Sequence, residues 1–120
     1  MAEPLRVWSY SRCSTCRKAL AWLEQQRIDV TVIDITETPP SRALLAEAAV
    51  NFGNRAPLFN TSGLSYRALG SEVVKAMSDE EALDALAADG KLIKRPFLAL
   101  PEGKFLVGFK LDQWTEAFQG

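Results

Sequence analysis

Ser9-Tyr10-Ser11-Arg12-Cys13-Ser14-Thr15-Cys16-Arg17-Lys18-Ala19 holds both cysteines of the chain and joins two kinds of periodicity. Before it, Leu5-Arg6-Val7-Trp8-Ser9-Tyr10 alternates apolar and polar residues, as a half-buried strand does. After it, Cys16, Ala19, Leu20 and Leu23 recur at i, i+3, i+4 and i+7, so a helix is expected to about Gln26 with that stripe inward. The Cys13-x-x-Cys16 pair thus falls at a strand-to-helix corner, where free backbone N–H groups and the helix dipole favour an anion. Cys13 stands at the helix entrance and Cys16 opens the buried stripe. An exposed, acidified thiol with a shielded partner in reach is what an attacking and a resolving thiol require.

Such a pair alone is also compatible with half a zinc site or with two core cysteines. Redox chemistry is favoured because a merely structural cysteine has no reason to sit at a helix N-terminus beside Arg12 and Arg17, whose charges make a thiolate easier to form. The chain contains no histidine, which excludes His-based triads and His-rich zinc sites. With two thiols, a four-ligand metal site would need carboxylates or a second chain, and no metal is expected.

Outward from this corner, Val30-Thr31-Val32-Ile33-Asp34-Ile35 reads as a parallel strand covered on both faces, completing a β-α-β unit. Thr36 to Pro40 breaks the pattern. Ser41 can cap a helix to about Val50 with Leu44, Leu45 and Ala48 on one face. Asn51 to Gly70 is expected to form loops or short helices, and Ser71 to Met77 a helix. Ser78-x-x-Glu81 has the capping-box spacing ahead of a further helix, which Gly90 is expected to close. Phe97–Leu100 and Phe105–Phe109 flank a Pro101-Glu102-Gly103-Lys104 turn, as in an antiparallel hairpin, and Leu111, Trp114, Thr115 and Phe118 suggest a last amphipathic helix. The order β-α-β, helices, β-β-α makes an α/β fold with a mixed sheet. A single domain over 1–120 is expected, with its core in 4–35 and 94–120 and a helical insertion over 36–93.

The 120 residues are 48% apolar and 24% charged, with a formal net charge of −1, so broad attraction to nucleic acid or anionic lipid is not expected. No apolar run is long enough to span a membrane, and the first residues lack a signal-peptide pattern, so a cytoplasmic location is the expectation. Any anion binding must be local. In Lys94-Arg95-Pro96-Phe97 a basic pair precedes a proline that opens a strand; this is either a solvated loop or a cis Arg95–Pro96 bond that turns Arg95 toward the cysteines. Arg67 and Lys110 are further candidate cations. Arginine outranks lysine for an oxyanion because its planar guanidinium offers paired donors.

Taken together, Cys13-Ser-Thr-Cys16-Arg-Lys-Ala, Leu58-Phe59-Asn60-Thr61-Ser62-Gly63 with Tyr66-Arg67, and Lys94-Arg95-Pro96-Phe97 with Val107-Gly108-Phe109 give a chain that resembles the ArsC/Spx family over nearly its whole length. That family includes glutaredoxin-coupled arsenate reductases and Spx-type transcription regulators. The resemblance implies a thioredoxin-like fold with a helical insertion and a cis peptide before Pro96. It implies Cys13 as nucleophile and Cys16 as resolving thiol, where those reductases usually carry serine. Arg95 matches the arginine before the proline, Arg67 approximates a second site arginine, and Lys110 stands nearest the third. It implies no bound cofactor, glutathione as a co-substrate, and glutaredoxin or thioredoxin as partner to a small oxyanion or glutathione substrate. The Spx side implies a redox switch that binds the C-terminal domain of the RNA polymerase α subunit, without direct contact to nucleic acid.

Overall fold

In the computed structural model, which describes residues 5–119, Leu5–Ser9 forms strand β1 and Ser14–Gln25 helix α1. Val30–Asp34 follows as β2, parallel to β1 with Val7 opposite Val32. Phe97–Leu100 (β3) pairs antiparallel to β1, and Lys104–Val107 (β4) pairs antiparallel to β3, giving the order β2-β1-β3-β4. The chain thus returns after a long run of helices to lay β3 against its first strand. The mixed α/β sheet expected from the sequence is the one observed.

Register decides which side chains meet on each face. Val7 lies opposite Leu98, and both enter one core with Ala19 and Leu23 of α1 and Trp114. Trp8 lies opposite Phe97, their rings 5.5 Å apart and nearly perpendicular, and both enter the other core. That second core is closed by Leu45 and Ala48 of helix α2 (Arg42–Phe52) and by Ala82, Leu83 and Leu86 of a later helix, Asp79–Ala88. Between these two run α3 (Leu64–Leu69) and α4 (Ser71–Ala76), so Asp79–Ala88 is α5. The helices of the 36–93 segment share their core with the sheet.

Local chemistry sets the helix starts. The Ser41 hydroxyl accepts from the Leu44 N–H at 3.1 Å. At α5 the expected capping box is complete: the Glu81 N–H donates to Ser78 Oγ at 3.1 Å, and the Ser78 N–H donates to Glu81 Oε1 at 3.0 Å.

Three expectations need correction. β2 is not covered on both faces: it is the sheet edge, with Val32 54% exposed. Its β-branched composition encodes strand propensity, which says nothing about position in the sheet. Gly90 does not close α5, which ends at Ala88 with Asp89 extended; it opens a 3-10 turn over Gly90–Leu92. The glycine is needed because a Cβ there would lie 1.7 Å from the Ile35 carbonyl oxygen. The second hairpin strand stops at Val107. Gly108 takes φ +68° and bends the chain into α6 (Leu111–Phe118), where Trp114 is buried while Leu111 stays exposed. The Trp114 indole N–H donates to the Gly108 carbonyl at 3.0 Å, tying this bend to the smaller core.

Candidate active site

Cys13 is the N-cap of α1. Its backbone is extended (φ −96°, ψ 116°), its N–H donates to the Tyr10 carbonyl at 3.0 Å, and its Sγ accepts from the Cys16 N–H at 3.4 Å. A sulfur has thus taken the place usually held by a serine or aspartate oxygen, and it receives one of the free donors of the helix start, the Cys16 N–H. Both thiols are reduced, Cys13 half-buried and Cys16 fully buried. Burial opposes ionisation of Cys13, but the Cys16 backbone N–H and thiol, together with the Arg95 guanidinium, outweigh it and hold the thiol below its ordinary value of 9.0. Burial dominates at Cys16 and pushes it up to about 11, with the neighbouring Cys13 adding to the rise. The two thiols are therefore unlike in the sense that an attacking and a resolving pair needs.

The Arg95–Pro96 bond is cis, as the family resemblance implied. Two backbone bonds hold the segment before it: the Lys94 N–H donates to the Leu58 carbonyl at 2.7 Å, and the Asn60 N–H to the Leu92 carbonyl at 2.8 Å. On the far side the Gly108 N–H donates to the Pro96 carbonyl at 2.9 Å. These links gather three chain regions around Cys13 and Thr15. They enclose a pocket of about 430 Å³ whose remaining wall includes Asn60, Ser62, Lys94, Arg95, Gly108, Phe109 and Lys110. Three of the lining residues are cationic, and no carboxylate lines the pocket among the described residues. Arg95 Nη1 is buried with no hydrogen-bond partner, a donor of the kind that an anion would satisfy.

Of the residues singled out from sequence, Cys13, Arg95 and Lys110 meet at this pocket, with Cys16 bonded to Cys13 through its N–H and Pro96 joined to Arg95 by the cis bond. Arg67 does not join them. It is exposed on α3 and lies outside the pocket lining, because α3 presents Tyr66 inward, 6.1 Å from the Phe59 ring. The cations beside Arg95 in the pocket wall are thus lysines, Lys94 and Lys110. Sequence reasoning misses Asn60 and Ser62 as site residues; the Asn60-Thr61-Ser62-Gly63 stretch, with its loop chemistry, is the available signal. It misses Tyr10 as well, although the Arg95 guanidinium lies 4.9 Å from its ring centre.

A larger cavity of about 910 Å³ lies among α2 to α5. Its wall carries Arg55, Lys75, Asp79 and Glu80 but no thiol, so it offers neither a nucleophile nor a field of one sign. No group of three or more Cys, Asp or Glu side chains suited to a metal occurs among the described residues, and no helix there is long and apolar enough to cross a membrane.

Comparison with known proteins identifies relatives of the whole chain. An uncharacterized protein of Bacillus subtilis, YusI, is 44% identical over 114 residues, 93% of this chain and 96% of that one. An arsenate reductase of Rhizobium meliloti is 37% identical over 81% of this chain and 69% of its own. The global transcriptional regulator Spx of Streptococcus pyogenes is a more distant relative, 26% identical over 84% of this chain and 75% of its own. Among solved structures, a possible arsenate reductase from Streptococcus mutans superposes with a TM-score of 0.87 at 40% identity, covering 98% of this chain and all of that one. The model of the ArsC family matches residues 8–117, which takes in the capping thiol, the cis proline and the cationic wall. With the thioredoxin-like sheet and the helical insertion both in place, the chain belongs to the ArsC family.

Proposed function

We propose that this protein is a thiol–disulfide oxidoreductase of the arsenate reductase-like group, with Cys13 as nucleophile and Cys16 as resolving thiol. One observation carries the reading: an N-capping thiol of lowered pKa opens onto a pocket whose charged walls are all cationic, with a second thiol directly behind it. Arg95, Lys94 and Lys110 supply charge-assisted hydrogen bonds to a tetrahedral oxyanion. With arsenate, the Cys13 thiolate forms an S–As bond as one oxygen departs as water. Attack of a second thiol, Cys16 or glutathione, on Cys13 Sγ breaks that bond and leaves its electron pair on arsenic. Arsenic(V) becomes arsenic(III), two thiols become one disulfide, and glutathione with glutaredoxin, or thioredoxin, returns the pair to the dithiol. The cycle requires a reducing compartment, which favours a cytoplasmic location.

The test is mass spectrometry of the wild type, Cys13→Ser and Cys16→Ser after exposure to arsenate and glutathione, with arsenite measured. Arsenite from the wild type, none from Cys13→Ser, and a Cys13–glutathione adduct that persists in Cys16→Ser are expected. Arsenite formation by Cys13→Ser at the wild-type rate would remove the proposal. The relation to Spx favours a second reading, in which the same disulfide switches binding to the C-terminal domain of the RNA polymerase α subunit. Redox-dependent capture of that domain by a chain that forms the disulfide without making arsenite would select it.

A further inference from the structure

The Arg95 guanidinium must be held firmly to act on Cys13, yet no carboxylate pairs with it among the described residues and its Nη1 has no hydrogen-bond partner. What it does meet is the face of Tyr10, at 4.9 Å from the ring centre. The ring is itself fixed, half-buried and packed against the larger core. The Tyr10 main chain also holds the backbone of the nucleophile, its carbonyl accepting from the Cys13 N–H at 3.0 Å. One residue therefore touches the nucleophile through its backbone and the neighbouring cation through its side chain.

We propose that Tyr10 is a positioning residue whose ring holds the Arg95 guanidinium beside Cys13 without neutralising it. A carboxylate would also hold the arginine, but it would cancel the charge and compete with any bound anion. An aromatic face attracts a cation through its quadrupole and carries no net charge, so the full positive charge stays available to the thiolate and to the substrate. The charged and titratable groups that share this space are Cys13 and Cys16 from α1, Lys94 and Arg95 from the approach to β3, and Lys110 from the approach to α6. Neither lysine can substitute for the ring, since each repels Arg95, and the Cys13 thiolate is the group that Arg95 is held to serve.

This inference rests on the Cys13–Arg95 site of the proposed function, and its test needs no turnover. The rate of Cys13 alkylation by iodoacetamide is followed against pH by peptide mass spectrometry, with and without inorganic sulfate as a protecting anion. Tyr10→Leu should raise the midpoint by about half a unit to one unit and weaken sulfate protection about three- to tenfold, whereas Tyr10→Phe, which keeps the ring, should behave as wild type. In an Arg95→Met background Tyr10→Leu should add nothing, because the two residues act as one unit. Tyr10→Met fills similar space without a ring face and serves as the second probe if Tyr10→Leu does not fold.

An equal shift from Tyr10→Leu in both backgrounds, no shift in the wild-type background, or loss in Tyr10→Phe as large as in Tyr10→Leu would each overturn the inference. A chain that makes no arsenite but shows this titration pattern refutes the enzyme reading alone. Turnover with an unmoved titration refutes Tyr10 alone.

Discussion

Competition between the two thiols for one alkylating reagent gives the most direct quantitative test of the site. Cys13 is held below 9.0, while Cys16 is pushed up to about 11. At pH 8 these values leave roughly a tenth or more of Cys13 as thiolate and roughly a thousandth of Cys16, a ratio of at least about 100. The more basic thiolate is the better nucleophile, and a Brønsted slope near 0.4–0.5 returns about tenfold of that advantage to Cys16 over two units. For Cys13 only just below 9.0, the net expectation is about tenfold faster labelling of Cys13 at pH 8, before burial is counted, and Cys16 is fully buried. Substoichiometric iodoacetamide on the reduced protein, followed by peptide mass spectrometry, reads the ratio. Near pH 10 the ionisation advantage has fallen to about tenfold, which the greater nucleophilicity of Cys16 offsets, so selectivity that persists there reports access. Equal labelling at pH 8, or faster labelling of Cys16, would refute the assignment of attacking and resolving roles.

Gly90→Ala should cost about 2–4 kcal/mol in urea unfolding at unchanged m, since its Cβ would strike the Ile35 carbonyl at 1.7 Å and backbone has to move; a loss under about 0.5 kcal/mol would refute the close approach. Stability should fall as pH rises from about 9 toward about 11, because Cys16, pushed up to about 11, stays protonated in the fold while the unfolded thiol ionises near 9.0, and the folded state then binds more protons. Cys16→Ser should remove that part of the decline, read by denaturant midpoints across the range. Lys110→Met should weaken sulfate protection of Cys13 and Arg67→Met should leave it unchanged, since only Lys110 lines the pocket; an equal loss in both would restore Arg67 to the site.

The sequence is most informative where a local pattern carries its own mechanism. The Ser78–Glu81 capping box, the Ser41 cap and the placing of Cys13 before a buried Cys16 stripe all depend on residues a few positions apart, and all are present. What needs the structure depends on residues far apart in the chain. β2 reads as an interior strand because Val30, Val32 and Ile33 are β-branched, but its neighbours are set by β3 entering on the other side of β1. Gly90 looks like a helix stop because glycine often is one; its contact with Ile35 is a meeting of segments about fifty residues apart. Tyr10 reads as one more residue of an alternating strand, and only the arrival of Arg95 gives its ring a task. Arg67 is favoured by its chemistry, and the orientation of α3, which no local pattern records, leaves it outside.

The insertion of β3 between β1 and β4 has a consequence for the chain as it is made. The nucleophile leaves the ribosome well before the Arg95 guanidinium that helps acidify it and the Gly108–Lys110 bend tied down by Trp114. Until they arrive, Cys13 has only the local Cys16 cap of α1 to favour its thiolate. Its full acidity is reached only when the last strands and helix have docked and Arg95 joins the Cys16 N–H at the thiol, so the most reactive form of Cys13 belongs to the completed fold.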